Sequence, residues 1–120
     1  MKRSLLFLSL LFFALSCSDE DKKSSCDVAN PVEDLEWLRN ELEDGNYGTP
    51  TTHADYFVYQ ALYLGQPVFY ISTCCPTCNM LPPSVKNCNG DILGSLGLDI
   101  DSDHLQDQVI IWRTHNGVCP

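Results

Sequence analysis

Residues Ala54–Ser72 read ADYFVYQALYLGQPVFYIS. Aromatic and branched side chains crowd Tyr56–Leu64, Gly65-Gln66 offers a turn, and Val68–Ser72 returns with similar composition. Such side chains suit a pleated, half-buried surface, so the stretch predicts a β-hairpin. Alternation puts Phe57, Tyr59, Ala61 and Tyr63 on one face and Tyr56, Val58, Gln60 and Leu62 on the other. Bulk on both faces predicts a strand inside the sheet, with one face under a helix. The tyrosines read as cross-strand packing, with an exposed ligand-binding face as the alternative.

The covering helix is expected upstream, in Asn30–Asp44, NPVEDLEWLRNELED. Asn30 can cap it, Pro31 fits its first position and Glu33 completes a capping box. Val32, Leu35, Leu38 and Leu42 share one helical face. Gly45 or Gly48 can stop it. Downstream, Asn89-Gly90 signals a short hairpin. Val109–Arg113 reads as a strand, and Asn116-Gly117 as a turn before a tail pinned by Cys119. The expected class is α+β: one N-terminal helix on a short antiparallel sheet of about four to five strands, stapled by disulfides.

The chain opens MKRSLLFLSLLFFALSC. Lys2 and Arg3 precede an apolar run, Ser4–Leu15, of signal-peptide length, and Ser16 leads into Cys17. This resembles the lipobox of bacterial lipoproteins, with Ala14 where that family usually has leucine. The resemblance implies a signal peptide at 1–16 and a diacylated Cys17 that holds the protein to a membrane, each buried methylene contributing about 0.8 kcal/mol. Residues 17–29 then form an acidic flexible tether, and 30–120 a single disulfide-rich domain. Ser18-Asp19-Glu20-Asp21 resembles the acidic export signal of surface lipoproteins in Bacteroidota. It implies an outer-membrane lipoprotein exposed at the cell surface.

The formal charge is −9, and loss of Lys2 and Arg3 with the signal lowers it to −11. Such a surface repels nucleic acid and suits cationic partners or a divalent ion.

Seven cysteines less Cys17 leave Cys26, Cys74, Cys75, Cys78, Cys88 and Cys119. An even number in a small exported domain predicts three disulfides. Adjacent Cys74 and Cys75 are not expected to pair with each other. The expected framework ties one of them to Cys26, the other to Cys119, and Cys78 to Cys88. Two other chemistries use the same residues. Cys75-Pro76-Thr77-Cys78 is a C-x-x-C, and a thiol–disulfide oxidoreductase would use that pair. Its nucleophile needs a helix starting at the motif, which Pro82 and Pro83 cut short. Zinc could draw on Cys74, Cys75, Cys78 and Cys88 with His104 or His115, but the second knuckle of a structural site is missing.

Asp99, Asp101, Asp103 and Asp107 stand at alternating positions of a loop like a calcium loop. His104 and Ile110 occupy the places where an EF-hand needs glycine and glutamate, so the stretch reads as a solvated acidic loop, with a weak surface calcium site as the alternative. His53, His104 and His115 fall in different loops, with no serine on a nucleophile turn, so no catalytic residue is assigned.

The order of these features resembles a family of small cysteine-rich Bacteroidota lipoproteins whose domain has no assigned function. The matching positions are Tyr63, Gly65, Val68, Phe69, Tyr70, Cys74, Cys75, Asn89, Gly90 and Ile110-Ile111-Trp112. Pro76 stands where that family usually carries an acidic residue after the double cysteine. The resemblance implies fold and location and carries over no activity. The expectation is a non-catalytic envelope module that binds a protein or small molecule, through the tyrosine face or the acidic loop, with no cofactor apart from the calcium candidate.

Overall fold

The computed structural model describes residues 25–119. The expected signal peptide, Cys17 and the first part of the expected tether lie outside them. Five strands form one antiparallel sheet: β1 Asp55–Tyr63, β2 Gln66–Cys74, β3 Ser84–Lys86, β4 Ile92–Ser95 and β5 Leu105–Arg113. Their order is β4-β3-β2-β1-β5, so four strands meander and the fifth returns beside the first. Among the described residues helical structure is limited to a single turn, α1 Pro31–Asp34, one short helix, α2 Glu36–Asp44, and a 3-10 turn, Ser102–His104. The α+β expectation is overturned: the chain is mostly a five-stranded antiparallel sheet with one short helix, and no continuous helix spans 30–44.

The helix breaks at Leu35, which takes extended backbone at φ −85° and ψ 105°. The expected capping box does not form either. Asn30 makes no side-chain cap; instead the Asp34 carboxylate accepts the Asn30 N–H at 2.9 Å and closes the turn early. With Glu33, Asp34 and Glu36 nearly consecutive, like-charge repulsion adds nothing to hold the helix through this point. The break leaves Val32 and Leu35 still packed against the cluster that Leu38 and Leu42 build with Val58 and Phe69.

The β1–β2 pairing runs unbroken from Asp55↔Cys74 to Tyr63↔Gln66. Its turn is Leu64-Gly65, one residue earlier than the sequence suggested. Both take positive φ, 51° and 76°, as a two-residue hairpin turn requires. Leu64 accepts that conformation at a tip where its side chain is 83% exposed.

The two faces of the sheet are covered differently. On one, α2 buries Leu38 and Leu42 against Val58 and Phe69, with Trp37, Ile71, Ile111 and Trp112 around them. On the other, the chain between β4 and β5 crosses the sheet and buries Ile100 against Ala61, Val68, Tyr70, Val85 and Leu105. The tyrosine face is therefore not an exposed ligand surface. Tyr59 stacks on its cross-strand partner Tyr70, with ring centroids 4.8 Å apart, and Tyr70 donates its hydroxyl to Gln108 at 2.7 Å. Burial, and then neighbouring Tyr59, push the Tyr70 phenol up to about 12.

The Asn89-Gly90 signal falls in a longer turn than a two-residue hairpin. The Asn87 side chain accepts the N–H groups of Asn89 and Asp91 at 2.9 and 3.0 Å, and Gly90 turns back at φ 83°. Trp37 lies over this turn and donates its indole N–H to the Cys88 carbonyl at 2.9 Å. Lys86 sits 5.6 Å from the Trp37 ring centroid and pairs with Glu41 of α2. Among the described residues no helix is long and apolar enough to cross a membrane.

Candidate functional site

The six cysteines after Cys17 are all paired: Cys26–Cys88, Cys74–Cys119 and Cys75–Cys78. Of the expected framework, only the tie from Cys119 to one of the double cysteines is present. Cys26 does not reach the double cysteine, because it packs on the helix side of the sheet, where Cys88 is held under Trp37. Cys78 does not reach Cys88, because it folds back on Cys75. Its N–H donates to the Cys75 carbonyl at 3.2 Å, closing a turn with Cα atoms 5.3 Å apart, within normal disulfide reach. No helix starts at the motif: residues 75–83 form neither helix nor strand. The dipole that would activate a redox cysteine is absent there.

Two of the four carboxylates of the calcium candidate, those of Asp99 and Asp101, are taken up by neighbouring backbone N–H groups. Asp99 accepts the Ser95 N–H at 2.9 Å, and Asp101 accepts the Asp103 N–H at 3.2 Å, capping a 3-10 turn, Ser102–His104. Asp107 sits at φ 53° in an irregularity of β5. Among the described residues no three His, Cys, Asp or Glu side chains are grouped to hold a metal ion. His104 is exposed on its 3-10 turn, while His53 and His115 line one shallow depression with Thr51 and Asn116.

Asp55 carries a structural role that the sequence did not signal clearly. It is 1% exposed, at the start of β1. Its carboxylate accepts the Thr114 hydroxyl at 3.0 Å and the N–H groups of Asn116, Val118 and Cys119 at 2.7, 2.8 and 3.0 Å. Burial pushes its pKa up, but the donors from Cys119, Asn116, Thr114 and Val118 outweigh it and hold the group at about 2. Cys119 is bonded to Cys74, the strand partner of Asp55, so one carboxylate and one disulfide clasp the tail together. The available signal was an acidic residue heading a run of strand formers, a place where a charge needs partners.

The groove that the fold builds lies between the helical segment and the edge strand β5. It has a volume of about 570 Å³, in the range of small-ligand sites. Val32, Leu42, Ile111 and Trp112 supply its apolar lining, and Glu33, Arg39, Glu43 and Asn46 its polar groups. A β-bulge makes the lining possible. Val58 pairs with Trp112 and Tyr59 with Ile110, leaving Ile111 as an extra residue. Ile111 and Trp112 are consecutive, yet both pack on the helix side, as a bulge permits and regular alternation does not. Arg39 spans the break in the helix by donating to the Glu33 carbonyl at 2.9 Å, which fixes one wall. Glu33 and Glu43 bring two carboxylates to the lining against the one Arg39 guanidinium, so the wall carries a net negative charge. No protein-family model, no curated protein and no solved structure matches this chain.

Proposed function

We propose that this protein is an exported lipoprotein, anchored through Cys17 at the cell envelope, whose domain binds rather than catalyses. The groove between α2 and β5 is its binding site. The observation that carries this reading is the bulge at Ile111, which turns two large apolar side chains into one groove beside an acidic wall. A β-bulge breaks the regular alternation and so re-aims the side chains beside it. The titratable groups lining the groove are Glu33, Arg39 and Glu43, set around an apolar lining. That set suits recognition of a ligand with an apolar body and a positive charge, as a small amine or the side chain of a basic peptide would offer.

The test is amide chemical-shift mapping with a fragment set of aryl and alkyl amines and their neutral isosteres. Amines are expected to shift Val32, Leu42, Ile111 and Trp112 together, more strongly than the isosteres. Glu43→Lys, at an exposed position, is expected to weaken the amines and leave the fold intact. Shifts that avoid the groove, or equal binding of charged and neutral fragments, would overturn the site. The anchor is tested separately: mass spectrometry of the exported protein should find acyl chains on Cys17 and processing blocked by globomycin. An unmodified Cys17 would remove the lipoprotein reading.

A further inference from the structure

The three disulfides differ in what they join. Cys26–Cys88 ties the start of the described chain to the β3–β4 turn across 62 residues, and Cys74–Cys119 ties the end of β2 to the tail across 45. Each links segments that would otherwise separate. Cys75–Cys78 closes a turn of four residues and joins no two elements of the fold. Stapling therefore does not account for it, since a crosslink stabilises less the shorter the loop it closes.

Its surroundings suit exchange instead. Cys78 is exposed while Cys75 is half-buried, so an attacking thiolate meets Cys78 first. The Thr77 hydroxyl oxygen lies 4.0 Å from the Cys75 sulfur, where it can donate to a departing thiolate. Beyond Cys78 the chain runs exposed through Met80 and Leu81, the latter 87% exposed. The next backbone hydrogen bond among the described residues joins Leu96 N–H to the Pro83 carbonyl.

We propose that Cys75–Cys78 is a thiol-exchange site on which an external protein dithiol acts, while the other two disulfides form a permanent frame. A thiolate of the dithiol attacks the Cys78 sulfur. The Cys75–Cys78 bond breaks, its electron pair leaves on Cys75, and solvent supplies the proton. The second thiolate of the dithiol then attacks its partner sulfur in the mixed disulfide and releases Cys78, which is protonated in turn. The protein gains two electrons and two protons, and the dithiol becomes a disulfide. The outcome is a loosened 75–83 segment on an intact sheet. This site is separate from the groove and stands or falls independently of it.

The test exposes the folded, oxidised protein to graded dithiothreitol, traps thiols with iodoacetamide and maps them by peptide mass spectrometry, with circular dichroism in parallel. Cys75 and Cys78 are expected to be alkylated at a reductant level that leaves the other four cysteines bonded and the spectrum unchanged. Alkylation of Cys26, Cys88, Cys74 or Cys119 at the same level or earlier would overturn the proposal. The leaving sulfur is tested by Thr77→Val, which removes the donor from an exposed position. Loss of one hydrogen bond to the departing thiolate is expected to slow reduction about fivefold. An unchanged rate would overturn the assignment of Cys75 as the leaving sulfur.

Discussion

Gly90→Ala tests how the helix is locked to the β3–β4 turn. Gly90 holds φ 83°, a region where an L side chain costs roughly 1–2 kcal/mol. A methyl group there would also lie 2.8 Å from Trp37 Cγ and 2.9 Å from Cδ2, closer than such atoms can approach. These are ring atoms at the root of the indole, so relief requires the whole side chain to move. Movement breaks the bond from Trp37 to the Cys88 carbonyl, worth about 1 kcal/mol. It also disturbs the edge-on contact with Phe69, whose ring centroid is 6.0 Å away. The combined cost is about 2–3 kcal/mol, and at roughly 4–8 °C per kcal/mol for a domain of this size Tm should fall by about 10–20 °C. Gly97→Ala is the matched control. Gly97 has φ 86°, and an added methyl group would find nothing within 4 Å, so it meets only the backbone cost. The assay is thermal unfolding by far-ultraviolet dichroism, with the near-ultraviolet tryptophan signal read alongside. Equal losses for the two variants, or an unaltered tryptophan signal in Gly90→Ala, would refute the claim that Trp37 is seated on this turn.

Three further measurements follow from the clasp, the tyrosine pair and the disulfides. Asp55 ionises at about 2 in the fold against 3.8 in an open chain, so its stabilisation is complete above 3.8 and disappears as pH falls through 2. The stability gap between the protein and Asp55→Asn should close over that window, and a gap constant with pH would contradict the clasp. Tyr70 is shifted the other way, from 10.0 to about 12, so its contribution holds below 10 and is lost as pH rises through 12. Ultraviolet titration should show a tyrosine ionising near 12 that vanishes in Tyr70→Phe; persistence of that step would mean another residue produces it. Replacing Cys26 and Cys88 together by alanine should cost about 4 kcal/mol, against about 2 kcal/mol or less for Cys75 with Cys78, by the loop-closure relation. Urea unfolding that reverses this order would contradict the division into frame and exchange site.

The hairpin at the centre of the sheet was legible because its composition, alternation and turn agree over Asp55–Cys74. Even there the turn moved by one residue, since Leu64 in place of asparagine or glycine gives no sign of its positive φ. The helix was misjudged because apolar spacing continues smoothly through Leu35. A carboxylate one position beyond the expected capping residue closes the first turn instead. The groove was not legible at all. It depends on a bulge, and nothing in Ile110-Ile111-Trp112 says which of three apolar residues goes unpaired. The disulfide map turned on which segments lie on the same side of the sheet. Cys26 meets Cys88 because both lie on the helix side by Trp37, a tertiary placement that local patterning does not encode, whereas Cys75–Cys78 is a local turn that the adjacent prolines did not announce.

The return of β5 to the side of β1 also sets an order of assembly. About fifty residues separate the partners, and the outer edge of β1 has no other neighbour in the sheet. While the chain is being made or threaded N-terminus first, β1 to β4 can meander together, but β1 keeps one open edge until Leu105–Arg113 arrives. Non-local pairing of this kind slows folding and leaves a strand available to other chains in the meantime. The last strand to emerge is thus the one that covers the open edge of β1. Asp55 at the start of β1 and its β2 partner Cys74 receive the tail immediately behind it.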